Sequence, residues 1–145
     1  MRVWLYQDRE QTGTSVAALL SQVAGEVEDI SGVEVGVVLV GDSPPEVATE
    51  ALLGATREAL LNAARHGAPP VSLYGELGGD PIAVFIKDRG EGFELDSIGP
   101  DRLGVRQSII GRIERRGGQA QFISGPGRGT EIRLTMPKDK EAVSG

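Results

Sequence analysis

The sequence lacks cysteine and holds a single histidine, His66, among its 145 residues. These absences exclude disulfides, thiol nucleophiles, thiolate metal sites and multi-histidine metal centres.

No apolar run approaches the ~20 residues of a membrane-spanning helix, since the longest candidate, VEVGVVLV at 33–40, has the length of a strand. The first 13 residues also lack the apolar run of a signal peptide. We therefore expect a cytoplasmic protein, or the cytoplasmic part of a membrane-bound one, with no membrane contact through this segment.

Acidic residues outnumber basic ones by 21 to 15, so the formal net charge is −6. This balance disfavours a surface built to bind nucleic acid. Hydrophobic residues make up 39% of the chain, which is enough for one packed soluble domain. We expect that domain at 14–137, preceded by a leader or the end of a connector at 1–13 and followed by a flexible tail at 138–145.

Apolar periodicity and turn residues predict the order of elements along the chain. The predicted helices are 16–31, with Thr14 or Ser15 as N-cap, 46–66 and 104–116. The predicted strands are 33–40, 71–77, 81–88, 119–124 and 130–137. Residues 89–103 have no periodicity and are a candidate lid. The pattern predicts an α+β two-layer sandwich, with helices on one face of a mixed sheet.

The second predicted helix contains TREALLNAARHG, in which Glu58, Asn62 and His66 are spaced four residues apart. Arg65 follows Asn62 by three, so the four side chains share an arc of about 100°. A carboxylate and an amide oxygen suit a hard divalent cation or an attacking water, and a guanidinium suits phosphate. The alternative is the ordinary solvent-exposed face of an amphipathic helix.

A second motif, IKDRGEGF, follows an apolar strand and places Asp88 before Gly90 and Gly92. Glycine lets backbone approach a planar ligand closely, and the aspartate could accept a hydrogen bond from an exocyclic amine such as that of adenine. Glycine-rich turns after strands are common, however, so the motif alone is weak.

Two further glycine motifs follow. In RLGVRQSIIG, Gly104 is predicted to open a helix whose first amides and dipole favour phosphate. In GPGRGTEI, Thr130 begins the last strand, which by itself indicates only a hairpin. The P-loop pattern GxxxxGK[ST] occurs nowhere in the sequence, and DRGEGF lacks the Gly-x-Gly-x-x-Gly form of a dinucleotide-binding fingerprint.

Taken in this order, the motifs resemble the catalytic and ATP-binding domain of two-component sensor histidine kinases, one group of the GHKL ATPases. REALLNAARH resembles the N box, DRGEGF the G1 box, RLGVRQSIIGRIERRGG the G2 region and GPGRGTEIRLTMP the closing Gly-Thr segment. The last two look most like the subfamily related to nitrate- and lipid-sensing kinases. The resemblance covers roughly 14–137 and implies a Bergerat-type fold, with ATP between the helices and a lid.

The resemblance implies a role for each residue of the N-box-like segment. Asn62 would ligate Mg²⁺ bridging the phosphates, with Glu58 beside it as base or as a partner of the metal site. Arg65 and His66 would contact phosphate or ribose.

For the nucleotide base, the resemblance implies that Asp88 reads the adenine amine, aided by Thr130 through a water. Gly90 and Gly92 would let the backbone close on the base.

Gly104 and the amide of Val105 would hold phosphates at a helix start. Arg102 stands where the family often has the first glycine of its G2 box, and the lid is short; both depart from the family pattern.

Because His66 lies inside the N-box-like segment, the resemblance implies a phosphoacceptor histidine on a separate helical domain and a response regulator downstream. We expect the isolated domain to be monomeric and inactive in autophosphorylation without that domain.

One alternative is an anti-sigma-factor serine kinase of the same superfamily, since NAARHG matches the end of its N box. Others are a GHKL ATPase that uses Glu58 to activate water, a nucleotide-binding regulator, or an α+β domain whose glycines only form turns. The phosphoacceptor distinguishes the kinases from one another and from the rest.

Overall fold

The computed structural model describes residues 15–90, 100–125 and 127–138, apart from the side chains of residues 100–102. The helices in this part of the chain are α1 (Val16–Ser31), α2 (Thr49–His66) and α3 (Pro100–Glu114). The strands are β1 (Val35–Val40), β2 (Val71–Glu76), β3 (Ile82–Asp88), β4 (Gln119–Ser124) and β5 (Thr130–Met136). The leader, most of the tail and most of the candidate lid lie outside the described residues.

Helix α1 begins and ends where the sequence predicts. The hydroxyl of Ser15 accepts a hydrogen bond from the Ala18 amide at 3.2 Å, which satisfies one of the unpaired donors of the first turn. Gly32 ends the helix in the left-handed region at φ 75°, where glycine has no Cβ to clash.

The other two helices begin at residues different from those predicted. Helix α2 begins at Thr49 rather than at 46, because a turn precedes it: the Thr49 hydroxyl accepts from the Glu46 amide at 2.7 Å. Helix α3 begins at Pro100, four residues before the predicted start at Gly104. Proline suits the first turn of a helix, where its missing N–H breaks no hydrogen bond.

The five strands form one mixed sheet in the order β1-β2-β3-β5-β4. β1 pairs with β2 in parallel, with Val35 beside Val71, and the other neighbours are antiparallel. Alternate residues of β2, β3 and β5 are buried, as in a sheet covered by helices on one face. The largest fully buried side chains include Leu20, Leu52, Leu60, Leu73, Ile86, Ile109, Ile113 and Leu134. The predicted α+β two-layer sandwich is confirmed.

The strand face opposite this core carries the aromatic pair Tyr74 and Phe85, whose ring centroids are 5.8 Å apart. The Tyr74 hydroxyl donates a hydrogen bond to Glu76 Oε2 at 3.1 Å. This bond raises the pKa of Tyr74 above its ordinary value, and partial burial and the Glu76 charge act in the same direction. The fold therefore favours the protonated phenol.

Replacing Glu76 by alanine should lower the pKa of Tyr74, because both the acceptor and its charge are lost. A phenol with a raised folded-state pKa contributes stability below its unfolded pKa, and that stability disappears as the pH rises through the folded pKa. The measurement is tyrosinate absorbance against pH in a Tyr6→Phe background, which leaves Tyr74 as the only tyrosine. An unchanged midpoint would contradict the assigned cause.

Candidate functional site

Helix α2 presents the polar face that the sequence predicts. Leu60 and Ala63 are buried in the core. On the polar face Glu58 and Asn62 are half-buried, and Arg65 and His66 are exposed in the last turn. One face of the helix packs against the core while the other offers a carboxylate and an amide at a partly shielded position.

The carboxylate of Glu58 contacts two side chains of helix α3. The Ser108 hydroxyl donates to Glu58 Oε1 at 3.0 Å, and Arg112 Nη2 lies 3.9 Å from the same oxygen. Neither residue could be identified from the sequence, because both follow Glu58 by 50 or more positions in a segment predicted only as an amphipathic helix.

Asp88 is the last residue of β3, and in the ladder it lies opposite Thr130, the first residue of β5. The Gly90 amide donates to Asp88 Oδ1 at 2.8 Å. The Thr130 and Ser124 hydroxyls are 3.1 Å apart. The fold therefore brings together the two residues that the resemblance assigns to the nucleotide base.

Three glycines from different segments pack around Asp88. A Cβ on Gly67 would lie closer than 3.0 Å to the Asp88 carboxyl carbon, and one on Gly129 equally close to the Asp88 carbonyl oxygen. A Cβ on Gly90 would lie 2.9 Å from Gly67 Cα. Sequence reasoning missed the roles of Gly67 and Gly129, because a helix-ending glycine and a hairpin glycine look ordinary until the segments meet. We refer to Gly67, Gly90 and Gly129 as the glycine cage.

The end of α2 is joined directly to the end of β3. The Arg89 amide donates to the Ala68 carbonyl at 3.0 Å, just after the helix-ending Gly67. Glu58 precedes Gly67 on the same helix by about 13 Å, at roughly 1.5 Å per residue. One rigid helix therefore connects the carboxylate and amide face with the aspartate at the sheet end.

A pocket of about 560 Å³ opens beside Asp88. It takes in Gly90 of the glycine cage but neither Glu58 nor Asn62. Its lining is Pro70, Ser72, Lys87, Asp88, Arg89, Gly90, Gly127 and Arg128. Three cationic side chains and one carboxylate line this pocket, and one of the cations, Lys87, forms an ion pair with Glu131 at 3.8 Å.

The third predicted motif differs from expectation. Because α3 begins at Pro100, Gly104 lies in the second helical turn, and the prediction that it opens the helix is wrong. The amides left unpaired at the start of α3 belong to its first turn, which precedes Gly104. Val105 is half-buried and packs against the core. Gly92 and the side chain of Arg102 lie outside the described residues.

No group of three or more His, Asp or Glu side chains in the described ranges could hold a metal ion by itself. Mg²⁺ commonly takes only one or two protein ligands, with phosphate and water completing its shell. Asn62, with Glu58 one turn away on the same helix, fits that pattern. None of the helices described is long and apolar enough to cross a membrane.

No protein-family model matches the chain. A curated relative, the sensor histidine kinase LiaS of Bacillus subtilis (strain 168), is 32% identical over 82 residues, which cover 56% of this chain and 22% of LiaS. The chain thus matches less than a quarter of that relative's length.

Solved structures cover nearly the whole chain. The histidine kinase domain of the Erythrobacter litoralis EL346 blue-light activated histidine kinase matches with a TM-score of 0.74 and 22% identity, over 96% of this chain and 72% of that one. A second structure of that blue-light activated histidine kinase matches with a TM-score of 0.70 and 21% identity, over 96% of this chain and 46% of that one. These likenesses confirm the resemblance drawn from the motifs, and the chain shares the α+β fold of the solved histidine kinase domain.

Proposed function

We propose that this chain binds ATP with Mg²⁺ and supplies the γ-phosphoryl group for phosphorylation of a histidine in a two-component signalling system. The observation that supports this most directly is the position of Asp88, which the glycine cage holds where α2, β3 and β5 meet, in a fold shared with histidine kinase domains. The acceptor histidine would belong to a helical domain other than the residues described, and a response regulator would act downstream.

The base of the nucleotide would lie against Asp88. A carboxylate offers about four lone-pair sites, so Asp88 can accept from the adenine amine as well as from the Gly90 amide. Thr130, opposite Asp88 in the ladder, would add a contact through a water. Gly90, and Gly92 beyond it, would let the backbone close on the base.

The phosphates would lie along the polar face of α2. Asn62 would ligate Mg²⁺, which would neutralise phosphate charge, and Arg65 and His66 would contact phosphate or ribose. The phosphates would also meet amides of the first turn of α3, which starts before Gly104. These residues supply positioning and charge, which are the main protein contributions to phosphoryl transfer.

In the transfer step a neutral imidazole nitrogen of the acceptor histidine attacks the γ-phosphorus. The new P–N bond forms as the P–O bond to ADP breaks, and ADP leaves with that electron pair. The proton on the other imidazole nitrogen passes to a base, for which Glu58 is the candidate on this face.

Calorimetric titration with ATP, with and without Mg²⁺, tests the assignment of the site. We expect Asp88→Asn to abolish binding and Asn62→Ala to remove mainly the Mg²⁺ dependence, with Asp29→Asn on α1 as an exposed control. If the folded wild-type chain binds no adenine nucleotide, alone or with a helical phosphoacceptor domain added in trans, the proposal fails.

A second candidate is a serine kinase that acts on an antagonist protein, favoured by the segment NAARHG at the end of α2. The chemistry of the product separates the two. A phosphohistidine P–N bond is labile in acid and stable in base, whereas a phosphoserine ester survives acid. A nucleotide-binding regulator or a simple ATPase would phosphorylate neither.

A further inference from the structure

Glu58 is tied to helix α3 by two donors that approach one of its oxygens. Ser108 and Arg112 are four residues apart, so both side chains leave the same face of α3. The Ser108 hydroxyl donates a hydrogen bond to Oε1, the Arg112 guanidinium forms an ion pair with the same oxygen at 3.9 Å, and among the described residues Oε2 accepts no hydrogen bond. The carboxylate is thus held by one oxygen while the other stays available.

The surface of α2 is shaped to admit this contact. A Cβ on Gly54 would lie closer than 3.0 Å to Arg112 Nη1 and 3.3 Å from its Cδ. Gly54 precedes Glu58 by one helical turn, so the Arg112 side chain lies along α2 from the glycine to the carboxylate. Any larger residue at 54 would have to displace the guanidinium.

We infer that Ser108 and Arg112 are positioning residues that hold Glu58 for its role beside the Mg²⁺-ATP complex. This inference rests on the proposed function. A glutamate without these contacts would sample several rotamers, so the position of its second oxygen near the proposed metal site would vary. Because both residues lie on α3, whose first turn the proposed function assigns to the phosphates, they also couple the position of Glu58 to that helix.

The same contacts would be present if Ser108 and Arg112 only joined the two helices. The test must therefore measure Mg²⁺-dependent ATP binding rather than stability alone. The Arg112–Glu58 pair is partly exposed, with side chains 40% and 30% accessible, and such pairs contribute little to stability. The readout is the Mg²⁺ coupling factor, the ratio of ATP dissociation constants without and with Mg²⁺, measured by calorimetry.

We expect Ser108→Ala and Arg112→Met each to lower the coupling factor by roughly 3- to 10-fold, the range typical of the net contribution of one ordinary hydrogen bond or one partly exposed ion pair. ATP affinity without Mg²⁺ and the melting temperature should stay unchanged. Ser108→Thr, which keeps the hydroxyl, should restore most of the coupling. Arg115→Met removes an exposed arginine one position beyond the end of α3 and is the matched control.

The decisive comparison places the same substitutions in a Glu58→Gln background, where they should have no further effect on coupling. Additive losses in that background, or a lower melting temperature with unchanged coupling, overturn the inference and leave the proposed function standing. A wild-type chain that binds no ATP overturns the proposed function and the inference with it.

Discussion

Replacing Gly129 by alanine is expected to lower the free energy of unfolding by about 2–5 kcal/mol and to abolish ATP binding. Gly129 has φ +73°, which costs an L-residue about 1–2 kcal/mol. The new Cβ would also overlap the Asp88 carbonyl oxygen and approach Arg89 Cα to 3.2 Å. Forcing a methyl group into a packed site adds about 1–3 kcal/mol. Because these neighbours are backbone atoms, relief requires β5 to separate from β3 at Asp88.

Two other glycines are matched controls for this substitution. Gly32 has φ +75° but no atom within 4 Å of its added Cβ, so Gly32→Ala should cost only the conformational term of about 1–2 kcal/mol. Gly25 lies inside α1 with equally open surroundings, and Gly25→Ala should stabilise by about 0.5–1 kcal/mol. Urea unfolding followed by circular dichroism measures all three. A Gly129→Ala cost equal to that of Gly32→Ala would show that the contact with Asp88 carries no energy.

Local rules predicted most elements of this fold because the deciding residues are close together in sequence. Ser15 begins α1 and Gly32 ends it, each through a contact with a residue no more than four positions away. Both are recognisable without the structure. The same rules failed at the start of α3, where glycine and proline in GPDRL predicted a loop. Pro100 instead occupies the first turn of the helix, so a residue that usually interrupts helices marks the beginning of this one.

The candidate site was predictable as a set of motifs but not as an arrangement. Asp88, Asn62 and Glu58 could be named because their spacing resembles that of a known family. The contact of Ser108 with Glu58 spans 50 positions and depends on how two helices pack, which periodicity does not specify. The glycine cage depends likewise on three segments meeting at one carboxylate.

Replacing Gly67 by alanine tests whether the glycine cage positions the Asp88 carboxylate for ATP binding. Gly67 has φ −94° and ψ −158°, a conformation open to any residue, so the substitution brings no intrinsic backbone strain. Its Cβ would overlap the Asp88 carboxyl carbon and lie 2.7 Å from the Ala63 carbonyl oxygen. The carboxylate must therefore move, and the backbone at residue 67 must also shift away from the Ala63 carbonyl oxygen. Losing a hydrogen bond to a charged group, worth about 1.5–3 kcal/mol, corresponds to roughly a 10- to 100-fold loss of ATP affinity.

Inosine triphosphate shows whether this loss occurs at the base, because its ring carries a carbonyl where adenine has the exocyclic amine. The wild-type chain should prefer ATP, since Asp88 can accept from the amine but would face another acceptor in inosine. Gly67→Ala should weaken ATP binding and leave inosine triphosphate binding nearly unchanged, so the preference collapses. Equal losses for both nucleotides would mean that the alanine disturbs α2 and its phosphate-facing residues instead. Gly25→Ala, in an open position of α1, should keep the wild-type preference and thereby assign the change to the contact between Gly67 and Asp88.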